Sequence, residues 1–154
     1  EEVAVGATDN KIYIYAIQGN TLSQTAVVTG HLGPVTALSY SPSGELLGAG
    51  DSTRAVNVWE RGSWTARVQG TWVYHTTRIN ALAWSPSGQF LASGSVDEQI
   101  IVWNLETPRQ KGLTISFAHK EGVTGLAFLD EQRIVSAGND HCVCIWNLAA
   151  GERK

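Results

Sequence analysis

Histidine, serine and aspartate recur in this chain at spacings that invite a catalytic reading. His75, Ser93 and Asp97 form one set; His119, Ser136 and Asp140 form another. These residue types can activate a hydroxyl nucleophile: the imidazole takes the proton and the carboxylate orients the imidazole. Two features oppose that chemistry. The set repeats at fixed spacing, each copy followed by a tryptophan (Trp103, Trp146), as structural parts do. A catalytic serine also needs an exposed position and an oxyanion hole, whereas Ser93 and Ser136 fall inside predicted inner strands. No Gly-x-Ser-x-Gly elbow and no Gly-rich phosphate loop is present. His31, His75 and His119 fall in separate units, so their rings cannot converge on one metal ion. The chain does not read as an enzyme, and no catalytic residue, metal or cofactor is expected.

The spacing shows what must position these residues. Tyr15, Trp59 and Trp103 stand 44 residues apart, and Trp146 follows after 43. His31, His75 and His119 keep the same period of 44. So does Tyr40-Ser-Pro-Ser-Gly44, which returns as Trp84-Ser-Pro-Ser-Gly88. Its third copy, Phe128-Leu-Asp-Glu-Gln132, is one residue shorter and accounts for the 43. A period of roughly 40–45 residues marked by Gly-His and Trp points to four-stranded propeller blades.

In the unit that opens at His75, residues 79–84 read as the first strand and 85–88 as a turn, where Pro fixes φ and Gly permits φ > 0. Residues 90–95 read as the second strand, 100–103 as the third and 113–117 as the fourth. Ala92, Ser93, Gly94 and Ser95 are small, as a crowded inner strand requires. No window of about 11 residues carries helical periodicity. The expected fold is all-β: an incomplete blade over 1–30, blades over 31–74 and 75–118, and an incomplete blade over 119–154. The first unit lacks its opening strand and the last its outer strand. That makes about three and a half four-stranded antiparallel blades, part of a larger propeller.

The motif resembles the WD-repeat pattern here. His75, Ser93, Asp97 and Trp103 match that family's structural tetrad, and His119, Ser136, Asp140 and Trp146 match it again. A buried indole N–H needs an acceptor. A hydroxyl on the neighbouring strand can accept it and donate to an imidazole, whose other nitrogen an Asp in the tight turn can hold. Aligned on Trp59, the unit before departs: Ala49 stands at the Ser position, Thr53 at the Asp position, and Asp51 is displaced. His31 is therefore expected to lack its usual partners. The first unit keeps Asp9 but has Val5 and Tyr15 in place of Ser and Trp.

Composition narrows the function classes. Hydrophobic residues make up 43% of the 154 and charged residues 16%, enough for a core and too few charges for a disordered chain. A net charge of −3 without a basic block speaks against nucleic-acid or membrane-surface binding driven by charge. No apolar run approaches the ~20 residues of a membrane helix. No signal-peptide pattern opens the chain, which begins Glu1-Glu2 and holds no Met. Its N-terminus is expected to be a boundary made by processing or excision. Cys142 and Cys144 sit two apart on a predicted strand, facing one way, and are expected to be reduced thiols, partly buried. A reducing, cytoplasmic setting fits.

What the repeat leaves unexplained is the better place to look for binding. The second-to-third strand turns and the links between blades open on one face, the top. They hold Asn10, Lys11, Asp51, Arg54, Arg78, Glu98, Lys120, Glu121, Asn139 and His141, the candidate partner-binding residues. Trp64 and Trp72 flank the predicted outer strand over 65–71, and neither is the repeat's own Trp. Exposed Trp is a hot-spot type, but packing against a neighbouring blade is the favoured expectation.

Beyond the generic repeat, the order of segments is similar to the C-terminal end of the actin-interacting protein 1 family, WD-repeat proteins with two linked propellers. The carrying stretches are Val3-Ala-Val-Gly-Ala-Thr-Asp9 with Gly19-Asn-Thr-Leu22, Gly33-Pro-Val-Thr36, and Leu82-Ala-Trp-Ser-Pro86. Ala118-His119 with Leu126-Ala-Phe-Leu-Asp-Glu131 also fits, as does the weak tetrad around Gly50-Asp-Ser-Thr53. The resemblance implies a protein-interaction module that binds actin filaments decorated with cofilin and promotes their disassembly, at the cytoskeleton. It assigns no contact residue. The alternative is a WD-repeat scaffold subunit of another multiprotein complex. In either case, the rest of its own propeller is an expected partner.

Overall fold

The computed structural model of the protein describes residues 1–149 and 152–153. Every regular element in it is a β-strand. β1 (Glu2–Gly6), β2 (Ile12–Gln18) and β3 (Thr21–Val28) form a three-stranded antiparallel sheet. β4 (Val35–Tyr40), β5 (Leu46–Asp51), β6 (Val56–Glu60) and β7 (Ala66–Trp72) form the second sheet. β8 (Ile79–Trp84), β9 (Phe90–Ser95), β10 (Ile100–Asn104) and β11 (Leu113–Ile115) form the third. β12 (Val123–Phe128), β13 (Arg133–Gly138), β14 (Val143–Asn147) and the two-residue β15 (Glu152–Arg153) form the fourth. Each sheet is a meander, and the sheets do not close into a ring.

The Ser-Pro-Ser-Gly turns explain why β4 and β8 end where they do. The Gly44 amide donates to the Ser41 carbonyl at 2.8 Å, and Gly88 repeats this with Ser85 at 2.9 Å. Both glycines have φ near +75° (74° and 75°), the left-handed region that costs them least. The serine side chain then accepts the first amide of the next strand: Leu46 on Ser41 and Phe90 on Ser85, each at 3.1 Å.

The seams between sheets use one repeated device. A Cβ built on Gly6, Gly50 or Gly94, near the ends of β1, β5 and β9, would lie 2.5–2.6 Å from the side chain of Val35, Ile79 or Val123 respectively. Those residues open the first strand of the following sheet, so only glycine lets the backbones approach. One residue later each first strand bulges. The bulged side chain turns toward the next sheet: the Thr36 hydroxyl donates to the Ile79 carbonyl at 2.6 Å, and the Asn80 amide to the Val123 carbonyl at 2.9 Å. Apolar clusters fill the seams, the middle one around Val58, Val68, Trp72, Ile79, Trp84, Leu91 and Trp103.

Three expectations are corrected. The last sheet has a fourth strand, β15, where the sequence offers none. β11 stops at Ile115, because at Phe117 the chain turns into the left-handed region (φ 56°) and carries the Ala118 amide to the Glu98 carbonyl at 2.7 Å. Cys142 precedes β14 and is exposed, whereas Cys144 is buried within it. Trp72 is fully buried; it stacks on Trp103 at 5.1 Å and 14°, and its Nε1–H donates to the Pro108 carbonyl at 2.9 Å. Trp64 packs partly buried against the first seam.

The outer face of the last sheet is open. Val143 is 72% exposed and Ile145 40%, yet their register equivalents in the third sheet, Ile100 and Val102, are buried. The glycine device gives a direct test. Gly94→Ala is expected to destabilise the protein by about 1–3 kcal/mol, the usual cost of forcing a methyl into a packed site. Gly125→Ala, where the backbone has no positive φ and a Cβ meets only Ala137 at 3.9 Å, controls for the general loss of glycine. Urea denaturation compares them.

Candidate functional site

The third sheet places its four polar residues in one connected line. Trp103 Nε1–H donates to Ser93 Oγ at 2.8 Å, and the Ser93 hydroxyl donates to His75 Nε2 at 2.8 Å. His75 Nδ1–H donates to the Asp97 carboxylate at 2.9 Å. The carboxylate on Nδ1 sets the tautomer and leaves Nε2 free to accept. Asp97 also accepts the amides of Thr76 (2.8 Å) and Gln99 (3.0 Å), fixing the turn above it. In the fourth sheet Trp146 donates to Ser136 at 2.7 Å, Ser136 to His119 at 2.7 Å, and His119 to Asp140 at 2.9 Å.

The second sheet solves the same problem with other residues, and His31 is not without a partner as its alignment implies. Asp51 reaches it from two residues upstream of the aligned position: His31 Nδ1–H donates to Asp51 at 2.8 Å. Asp51 also accepts from Thr53 N and Oγ1 and from Ala55 N. Asn57 adds an amide 3.3 Å from the same ring nitrogen. With Ala49 at the serine position, His31 Nε2 is buried with nothing to bond. The first sheet has only an exposed remnant, Tyr13 OH donating to Asp9 at 2.6 Å.

The top face carries nine of the ten candidate binding residues. Asp51 is the exception: it is fully buried and committed to its turn, so it is withdrawn as a contact residue. Asn10, Arg54, Glu98 and His141 occupy one register position in the four sheets, and all have positive φ (69°, 85°, 69° and 63°). The turn requires the left-handed region there whatever residue fills it. Two of these side chains latch onto the next sheet: Asn10 donates to the Leu32 carbonyl at 3.3 Å, and Glu98 accepts the Glu121 amide at 2.9 Å. Asn139 donates to the Glu121 carbonyl at 2.8 Å. Lys11 sits 3.5 Å from Asp9. Arg54, Lys120, Glu121 and His141 are exposed, and Arg78 is exposed with its Nε–H on Asn80 at 3.0 Å. Sequence reasoning missed Leu32 and Phe117, the two most exposed large apolar side chains.

The family profile of the WD domain, G-beta repeat, matches residues 22–60, 66–104 and 111–147. The chain belongs to the WD40 repeat family. It is 41% identical over 147 residues to the 66 kDa stress protein of Physarum polycephalum. It is 37% identical to actin-interacting protein 1-2 of Arabidopsis thaliana and 36% identical to actin-interacting protein 1 of Drosophila melanogaster. Each alignment covers 96% of this chain and 24% of the relative. The chain thus spans about a quarter of the length of these curated relatives.

As a WD40 chain, its buried Ser-His-Asp sets are structural ties. Ser93, His75, Ser136 and His119 are buried, and each serine hydroxyl is held between an indole and an imidazole.

Two predictions follow from the buried ties. Ala49→Ser places a hydroxyl where Ser93 has one, within reach of His31 Nε2, and is expected to stabilise the protein by about 1 kcal/mol in chemical denaturation. The second concerns acid. Burial pushes the Asp97 carboxyl up, but hydrogen bonds from His75 and the Thr76 and Gln99 amides outweigh it and hold the group below its ordinary value. Asp51 is lowered in the same way against its burial, by His31, Ala55 and Thr53. A depressed carboxylate stabilises the fold above its unfolded pKa, about 3.9, and that contribution is lost as pH falls toward the lower folded value. Asp97→Asn is therefore expected to lower stability at neutral pH and to flatten its fall below about pH 4. Denaturation at stepped pH checks this; an unchanged acid slope contradicts it.

Proposed function

We propose that this segment is a non-catalytic protein-interaction module of an actin-associated WD40 protein. The whole protein promotes disassembly of cofilin-decorated actin filaments in the cytoplasm, at the cytoskeleton. The observation that carries this reading is the 36–37% identity, over 96% of the chain, to proteins named actin-interacting protein 1. The rim supports it: Arg54, Arg78 and Lys120 are exposed cations held on turns that buried or partly buried carboxylates fix from below. Such a surface suits an acidic protein partner, because charges on a rigid frame lose little freedom on binding.

The test uses the whole protein that contains this segment, in a filament sedimentation assay with and without cofilin. The expected result is a shift of actin from pellet to supernatant only when cofilin is present. Arg54→Glu, Arg78→Glu and Lys120→Glu are each expected to reduce that shift while changing stability by less than about 0.5 kcal/mol. No cofilin-dependent shift with the parent protein would sink the actin reading in favour of a WD40 scaffold of another complex.

A further inference from the structure

Phe117 is 84% exposed and lies in the left-handed region at φ 56°. Each feature is unusual for an aromatic residue, and together they conflict with its own chain. The backbone bend has an internal purpose, since it delivers the Ala118 amide to the Glu98 carbonyl at 2.7 Å. The ring has none: it belongs to none of the apolar clusters. Glycine would make the same bend at less cost, and asparagine tolerates it better than phenylalanine. The repeat does not demand the arrangement either. Val73 and Thr29 stand at the same register position 44 and 88 residues earlier, and neither has positive φ.

The surroundings tie Phe117 to the rim. Glu98, whose carbonyl anchors the bend, also accepts the Glu121 amide, and Lys120 stands exposed on the same link. The link joins the third sheet to the fourth. We propose that Phe117 is an aromatic anchor of the top-face binding surface. It would enter an apolar socket on a protein partner, beside a carboxylate that meets Lys120. This rests on the actin reading above and extends it by naming a residue that determines affinity. Backbone strain retained at an exposed aromatic is a pattern of binding sites, where the cost is recovered by the partner.

The whole protein is made with Phe117→Gly, Phe117→Asn and Phe117→Tyr, and each variant is melted and sedimented with cofilin-decorated filaments. The Gly and Asn variants are expected to melt at or above the parent temperature and to bind about tenfold more weakly. The Tyr variant is expected to keep most of the binding. Equal binding by parent and Gly variant removes the anchor and leaves the actin reading standing. A lower melting temperature with binding intact shows that the ring packs inside the rest of the chain, and overturns the proposal. A parent protein that does not sediment with decorated filaments overturns both.

Discussion

A buried indole N–H must have an acceptor, and meeting that need organises the second half of this chain. Ser93 and Ser136 accept it, and each hands its own proton to a histidine. The histidine is then obliged to donate through Nδ1 to a carboxylate at the top of the sheet. That carboxylate accepts turn amides as well: Thr76 and Gln99 on Asp97, Lys120 and Cys142 on Asp140. One line of bonds therefore runs from the core to the rim. It fixes the backbone from which Glu98 and His141 project, and a fixed backbone reduces the ordering cost of any contact those residues make.

The polar line holds strands within a blade, and a different constraint sets the distance between blades. Gly6, Gly50 and Gly94 let the following first strand come close, and the bulge at Thr36 and Asn80 turns that closeness into a hydrogen bond across the seam. Each blade thus recognises its neighbour through a few residues at the start of one strand. Stability of such an array is close to a sum of blades and nearest-neighbour seams. Thr124 occupies the register position of Thr36 and Asn80 in the last blade, but Ala137 stands where the earlier blades have Gly50 and Gly94, beside the bare Val143 and Ile145. The last blade therefore keeps the bulge of this device but not its glycine.

The parts legible in the sequence were those fixed by local chemistry at a repeated spacing. The strands over 79–84 and 90–95, the Ser-Pro-Ser-Gly turns and the two full tetrads all follow from residue type and period. Asp51 was misread because alignment compares positions, whereas a hydrogen bond depends on reach. From the end of β5, Asp51 covers the His31 ring without occupying the expected register. Asn57 was the available clue: it puts a buried amide where the later blades have Ile101 and Cys144. Leu113 to Phe117 alternate apolar and polar residues, and Phe117 is a strand-favouring type. The tertiary bond from Ala118 to Glu98 overrode both, as context does for short outer strands.

The four blades differ in a way that bears on where a partner binds. Blade one lacks the tie, with Asp9 44% exposed and bonded to the half-buried Tyr13. Blade two has a partial tie that leaves one buried nitrogen bare. Their cohesion comes from apolar packing around Ile12, Ile14, Leu47 and Trp59, which is strong but non-directional and does not reach the rim. At their base Glu2 adds a latch, accepting from Tyr40 and Arg61, but this is the opposite face. Blades three and four have complete ties, and their rims are cross-linked through Glu98, Glu121 and Asn139. A partner that settles on blades three and four meets a surface already ordered. One that settles on blade one meets a rim held by the Asn10–Leu32 bond and an exposed Lys11–Asp9 pair, and immobilising the Lys11 side chain carries an entropic cost. This difference in rim order along the chain supports the proposal that the link carrying Lys120 and Phe117 takes the partner.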